Sequence, residues 1–282
     1  MMIDCNITII GPGVMAEAII AGIISQNVVS ADRIIASGPR LSRGEELHKQ
    51  YKIASSSDNV EAVRDADVVI LSVKPQHLKA VFTDLKGKLK PSAFVLSIVA
   101  GATLKKISEG LMSENIVRSM PNTPAQIGEG ITVWTTAPAV SDQQHEISRQ
   151  ILGALGDEVY LEDEHYLDMA TALSGTGPAY VFLFMEAMVD AGVHLGFPRR
   201  IAEKLVTQTV RGSVDYYQKR NDPVHLARLR NQVTSPGGTS AAALYYLEKA
   251  GFRTAISRAI WAAYERSQAL GADKQAHSPN LS

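Results

Sequence analysis

The chain has 282 residues, 45% of them hydrophobic, and a formal net charge of −1. That length makes one large or two ordinary domains with ample core. The near-zero charge gives no electrostatic reason to expect nucleic acid or an anionic membrane surface as a partner, and the single cysteine, Cys5, excludes an intramolecular disulfide framework and cannot form a zinc site by itself.

Taken in order, the first half alternates between strand and helix. Ile7-Thr8-Ile9-Ile10 is a β-branched strand that stops at Gly11-Pro12-Gly13, and a helix follows from Met15 to about Ser25. Arg33–Ser37 is a short strand, Leu41–Tyr51 a helix and Lys52-Ile53-Ala54 a minimal strand. Asp67–Val73 is a continuous apolar run, the pattern of a parallel strand covered on both faces. A helix over Gln76–Leu85, a strand over Ala93–Ile98, strands at Ile116–Ser119 and Ile131–Trp134, a helix over Asp142–Leu155 and a strand at Glu158-Val159-Tyr160 complete this half. Strand alternating with helix predicts a doubly wound parallel sheet. Cys5, at the edge of the first strand, reads as a packing residue.

From about Glu162 the pattern turns helical: Glu164–Leu173, Pro178–Leu195, Pro198–Lys219, Val224–Val233, Ser240–Ala250 and Arg253–Leu270. The fold class expected is therefore α/β, a Rossmann-type doubly wound domain over 1–162 followed by an all-helical domain over 163–272, with a disordered tail over 273–282. Val181, Phe184, Met185, Met188 and Val189 make the second of these helices apolar nearly all round, so a large surface must bury it. A second subunit and the centre of the monomer are the two readings. The most apolar stretches, near Phe94–Gly101 and Tyr180–Val189, are too short to span a bilayer, and no basic and apolar signal opens the chain. A cytoplasmic protein with no membrane partner is expected.

Gly11-Pro12-Gly13-Val14-Met15-Ala16 has the G-x-G-x-x-A spacing of a dinucleotide-binding turn. Gly11 turns the chain off the strand, Gly13 leaves its backbone open to a pyrophosphate, and Ala16 lets the helix pack close. The N–H groups at the helix start face the phosphates. No carboxylate ends the second strand, as an NAD site would have; Ser37, Arg40, Ser42 and Arg43 lie there instead and suit a 2′-phosphate. NADPH is favoured, with NADH possible. Val73-Lys74-Pro75 follows the third long strand at its C-terminal end, where ligands of open α/β sheets bind, and Ala100-Gly101 holds the same place after the next, with Gly101 open to the nicotinamide.

Three further clusters are unusual: Arg118–Pro124 around Asn122, Leu173–Tyr180 around Thr176, and Val233–Ser240. The last two are hydroxyl-rich small-residue loops at helix starts, which can present N–H groups to a carboxylate; ordinary capping is the other reading. The histidines show no ligand spacing, so no metal is expected.

With these motifs the chain resembles the pyrroline-5-carboxylate reductase family. The pieces are the glycine turn, Val73-Lys74-Pro75, Ala100–Leu104, Met120–Pro124, Ser174–Tyr180, Ser235–Thr239 and Gly251-Phe252-Arg253, in family order to about residue 270. The resemblance implies NADPH-dependent reduction of a cyclic imino acid to L-proline by a homodimer, in some members a decamer. It implies that Ser37, Asn59, Lys74 and Gly101 hold the cofactor with the Gly11–Met15 turn. It further implies that Ser235, Gly237, Gly238, Thr239 and Ser240 receive the substrate, with Asn122 and Thr176 assigned to the same site. Ser240, Thr239 or a water is the candidate partner for the iminium N–H. Val14, Ser240, Asn231 and a long 223–233 segment depart from the family pattern. A reductase of a larger cyclic imine and a cofactor-sensing protein without turnover stay open as alternatives.

Overall fold

The computed structural model describes residues 2–220 and 222–272, so the expected tail at 273–282 lies outside the described residues. Eight strands form one sheet in the order β3-β2-β1-β4-β5-β6-β7-β8. They are β1 (Ile7–Ile10), β2 (Ile34–Ser37), β3 (Ala54–Ser56), β4 (Val68–Leu71), β5 (Phe94–Ser97), β6 (Ile116–Met120), β7 (Gly130–Thr136) and β8 (Gly156–Tyr160). All pairings are parallel except β6 with β7, which are antiparallel. The short Pro121–Glu129 connection between those two leaves no length for a crossover helix. The helices of this half are α1 (Val14–Ser25), α2 (Leu41–Tyr51), α3 (Asn59–Val63), α4 (Leu78–Leu85), α5 (Leu104–Leu111) and α6 (Asp142–Gly153).

The apolar runs of the central strands are explained by the side-chain period of two. Ile7 and Ile9 of β1, with Val68 and Ile70 of β4, face one core shared with α1 and α6. Ile10, with Val69 and Leu71, faces a second core shared with α4 and α5. A strand covered on both sides must be apolar at every position. Within β1 and β4 the exception is Thr8, whose hydroxyl donates to the Ala62 carbonyl at 2.6 Å. Cys5 is buried, and burial pushes its thiol up to about 11, so it packs as a small neutral residue.

Three local expectations are corrected. The strand expected at Lys52-Ile53-Ala54 begins at Ala54, because Lys52 closes α2 in the left-handed conformation, φ 61°. α3 and α5 do not stand out in the sequence. α3 has only five residues, started by Asp58 accepting from the N–H groups of Val60 and Glu61. α5 contains Gly110, which lies against the Phe82 ring. The third concerns apolar length. The helical stretch His165–His194 is longer than the Tyr180–Val189 run, and by length and composition it is long enough to cross a membrane, with mean hydropathy 1.2 over its best 18-residue window. The remaining helices are α7 (His165–Ala170), α8 (Gly177–His194), α9 (Arg199–Gln218), α10 (Leu226–Gln232), α11 (Thr239–Lys249) and α12 (Phe252–Gly271), with a π-turn at Thr171–Gly175 between α7 and α8.

The contacts divide the chain into two compact units: residues up to Thr176 with those from Ala262 onward, and Gly177–Trp261. The sheet unit thus keeps α7 and the end of α12, although the sequence suggests a boundary at 162/163. The reason is Arg118 on β6, which is buried and pairs with Glu164 at 2.8 Å and Asp168 at 2.9 Å. Asp168 also accepts from the Ser267 hydroxyl at 2.8 Å, and Glu164 from the Leu104 N–H at 2.7 Å. In the second unit α8 packs on α9 through Val189, Ala202 and Val206. Much of α8 stays uncovered within one chain, with Phe182 61% and Leu183 67% exposed.

Arg118→Ala leaves two part-buried carboxylates facing each other without their cation. We expect a loss of about 3 kcal/mol in urea unfolding, since removing one partner of a buried pair is strongly destabilising. A loss under about 1 kcal/mol, the range of a surface pair, means that this network does not hold α7 to the sheet.

Candidate active site

β1 and β4 are neighbours although two strands lie between them in sequence, so the strand order reverses at β1 and a crevice opens beyond the carboxyl ends. The glycine turn sits there. Gly11 has φ +91°, and a Cβ on it would lie 2.6 Å from Val73 Cγ1 on the neighbouring strand's exit, so both the dihedral and the space require glycine. At Gly13 a Cβ would meet nothing within 4 Å, so that face is open. The helix's first turn follows, with Glu17 N–H the first to find its helical acceptor, Gly13; the preceding N–H groups point out of the helix start.

A cavity of about 610 Å³ lies against this turn. Gly11, Pro12, Gly13, Ser37, Arg40, Asn59, Val73 and Lys74, all assigned to a cofactor in the sequence analysis, line it, and so do Ser57, His77 and Asp84, which are not named there. Ser57 belongs to the Ser-Ser-Ser-Asp run that caps α3, a signal readable as a loop at a strand end; His77 and Asp84 come from the approach to α4 and from α4 itself and carry no motif. A second cavity of about 270 Å³ adjoins, lined by Gly38, Arg40, Leu41, Gly44 and Ser55–Ser57. Arg40 borders both. An open glycine backbone, a helix start and two cations, Arg40 and Lys74, fit a dinucleotide diphosphate. Val14, 61% exposed, and Met15 stand on the first turn of α1, while Pro75 starts the short 3-10 turn after Lys74; none of the three lines the cavity.

Two expectations about the cofactor change. Arg43 is already occupied. Its guanidinium pairs with Glu17 and with Glu46 (3.0 Å), and its Nε donates to the Pro12 carbonyl at 3.1 Å. It therefore braces the glycine turn from α2, and Arg40 alone of the two arginines reaches the cavity. Gly101 does adopt φ +72°, yet the space beside it is filled by the chain itself: a Cβ would lie 2.7 Å from Leu270 and 2.9 Å from Gly271. Its small size serves the docking of the last helix, and neither Gly101 nor Ala100 lines the cavity.

The Asn122 amide ties loops together. Its Nδ2 donates to the Ser174 carbonyl at 3.2 Å, and its Oδ1 accepts from Ile131 N–H at 3.0 Å. The Thr176 hydroxyl donates to the Thr171 carbonyl at 2.8 Å, so only its lone pairs remain on offer. The π-turn that delivers Thr176 is the kind of helical irregularity found at functional sites. In the second unit Ser235–Ser240 forms a turn closed by Gly238 N–H to the Ser235 carbonyl, 3.0 Å, with Gly237 at φ +71°. Gly238 is the N-cap of α11, so Thr239 and Ser240 supply the first free N–H groups of an eleven-residue helix.

A family model described as pyrroline-5-carboxylate reductase dimerisation matches residues 164–270, and one described as NADP oxidoreductase, coenzyme F420-dependent, matches 6–101. A pyrroline-5-carboxylate reductase of Synechocystis sp. is 43% identical over 93% of this chain and 97% of its own length. That of Pseudomonas aeruginosa is 41% identical over 94% and 96%. The crystal structure of Plasmodium falciparum pyrroline carboxylate reductase with NADP bound matches with a TM-score of 0.88 at 34% identity, covering 96% of this chain and all of that one, 100%. Fold, cavity and relatives define an NAD(P)-dependent oxidoreductase with a C-terminal oligomerisation region. Within that class the chain belongs to the pyrroline-5-carboxylate reductase family.

The Arg43 hydrogen bond holds the Glu17 carboxyl below its usual range. A depressed folded-state pKa means that stability from this pair is present above the unfolded value, about 4.3, and is lost as pH falls through the folded value. Glu17→Gln should thus cost about 1 kcal/mol in urea unfolding at neutral pH, after allowance for solvent screening, and nothing in strong acid. An equal cost at both pH values sinks the assignment.

Proposed function

We propose that this chain reduces the cyclic imine 1-pyrroline-5-carboxylate to L-proline, the last step of proline biosynthesis, with NADPH as the preferred donor and NADH as a possible one. The reading rests on one conjunction: a glycine-turn cavity with Arg40 and Lys74, and an anion-accepting helix start at Ser235–Ser240, in a chain whose relatives carry that activity in their names. NADPH, when bound, supplies the hydride.

The chain's residues bind and orient. The Gly11–Met15 turn, with Lys74, takes the diphosphate. Arg40 faces the 2′-phosphate, and Ser37 and Asn59 face the ribose. The Ser235–Ser240 turn takes the substrate carboxylate on its N–H groups, and the Ser240 or Thr239 hydroxyl meets the ring nitrogen. A protonated imine is already a good electrophile, so orientation outweighs acid strength. Thr176 enters as an acceptor for the ring N–H, because its own proton is spent on Thr171. Asn122 enters as a brace for the loop between β6 and β7. The exposed apolar side chains of α8, Phe182 and Leu183 among them, suit a homodimer contact with a second copy of the chain, with a decamer as a further assembly. The cytoplasm is the compartment proposed.

The test is NADPH oxidation followed by absorbance, with racemic pyrroline-5-carboxylate and, in parallel, a six-membered cyclic imino acid. Turnover with the five-membered ring supports the reading; nucleotide binding without turnover on either ring removes it. Ser240→Ala should raise KM for the imine about three- to tenfold, the worth of one hydrogen bond, and leave KM for NADPH unchanged. An unchanged imine KM takes the role away from Ser240.

A further inference from the structure

We propose that Asp84 is a specificity-determining residue for the cofactor ribose: acting through Asn59, it fixes Ser37 as a hydrogen-bond acceptor and so restrains the preference for a 2′-phosphorylated nucleotide. The inference rests on the cavity being the cofactor site.

Three residues from three elements form a chain along the cavity wall. Ser37 ends β2, Asn59 starts α3, and Asp84 lies on the last turn of α4. Asn59 Nδ2 donates to Asp84 Oδ2 at 3.0 Å, and Ser37 Oγ donates to Asn59 Oδ1 at 2.8 Å. The direction of both bonds follows from chemistry. An ionised carboxylate can only accept, so the amide must turn its NH₂ toward Asp84. Its carbonyl oxygen then faces Ser37, and that oxygen can only accept as well. Ser37 has one proton and spends it there.

What Ser37 offers the cavity is therefore lone pairs. A ribose 2′-hydroxyl can donate to them; the oxygens of a 2′-phosphate cannot. With Arg43 held by Glu17 and Pro12, the site is less committed to the phosphate than Ser37, Arg40 and Arg43 suggest when read as sequence. Asp84 touches neither nucleotide in this scheme and acts as a positioning residue.

The test is calorimetric titration of the full-length protein with NADP⁺ and with NAD⁺, in wild type, Asp84→Ala, Ser37→Ala and the double variant. Asp84 is exposed on a helix and alanine is a good helix former, so the fold is retained. Asp84→Ala frees the Asn59 amide to turn over and Ser37 to donate. The ratio of Kd for NAD⁺ to Kd for NADP⁺ should rise about fivefold or more, the worth of a hydrogen bond to a charged group after screening. Ser37→Ala should weaken NAD⁺ more than NADP⁺. In the Ser37→Ala background the effect of Asp84→Ala on the ratio should fall below about twofold, because the two act as one unit.

An unchanged ratio in Asp84→Ala overturns the proposal, as does an equal rise in both backgrounds, which is the signature of plain charge. A purely structural tie between α3 and α4 weakens both nucleotides alike and leaves the ratio where it was, which also overturns it. Wild-type protein that binds neither nucleotide removes the cofactor site along with this inference; binding of both without coupling removes this inference alone.

Discussion

The constraint on which the crevice depends is the exit from β1. Gly11 turns with φ +91° while Val73, leaving β4, occupies the space where a side chain would stand. That contact sets how closely β1 and β4 can end together, and so where the crevice opens. It aims α1 so that its first N–H groups face the cavity. Arg43 then holds the same turn from outside through the Pro12 carbonyl. Gly38 closes the far side, since a Cβ there would lie 2.4 Å from Pro12 Cδ. The nucleotide-facing geometry is therefore a property of side-chain packing from β2, α2 and β4, and the turn's own sequence is only part of it.

The sheet was readable because its central strands are covered on both faces, which forces uninterrupted apolar runs such as Val68–Leu71. The long helices were readable by period. α3 and α5 were not, being five and eight residues long, too short for a periodic signal. With Lys52 in the left-handed conformation, β3 starts at Ala54 and not at Lys52, two residues later, and no local residue signals that shift.

At the crevice, glycine spacing and strand-end position point to Ser37, Arg40 and Lys74, and all three line the cavity. What failed depended on partners far away in sequence. Arg43 reads as a free cation until Glu17 is seen beside it, and Gly101 reads as an open backbone until Leu270 fills the space. Asp84 is one more charged residue on a helix until Asn59 and Ser37 line up with it. Residue type gives donor and acceptor capacity; only the fold decides where that capacity is spent.

The pairing of Arg118 with α7 and, through Asp168, with Ser267 on α12 has a topological consequence. The chain leaves the sheet unit after Thr176 and re-enters it at Ala262. In effect the helical unit is an insertion whose two ends are both anchored on the same β6 arginine. A single backbone cut anywhere between those anchors would separate the chain covalently while each fragment kept its own attachment to the sheet unit. The second half of α12, from Ala262, is thus a structural member of the nucleotide-binding half, while its first half, Phe252–Trp261, belongs to the helical unit.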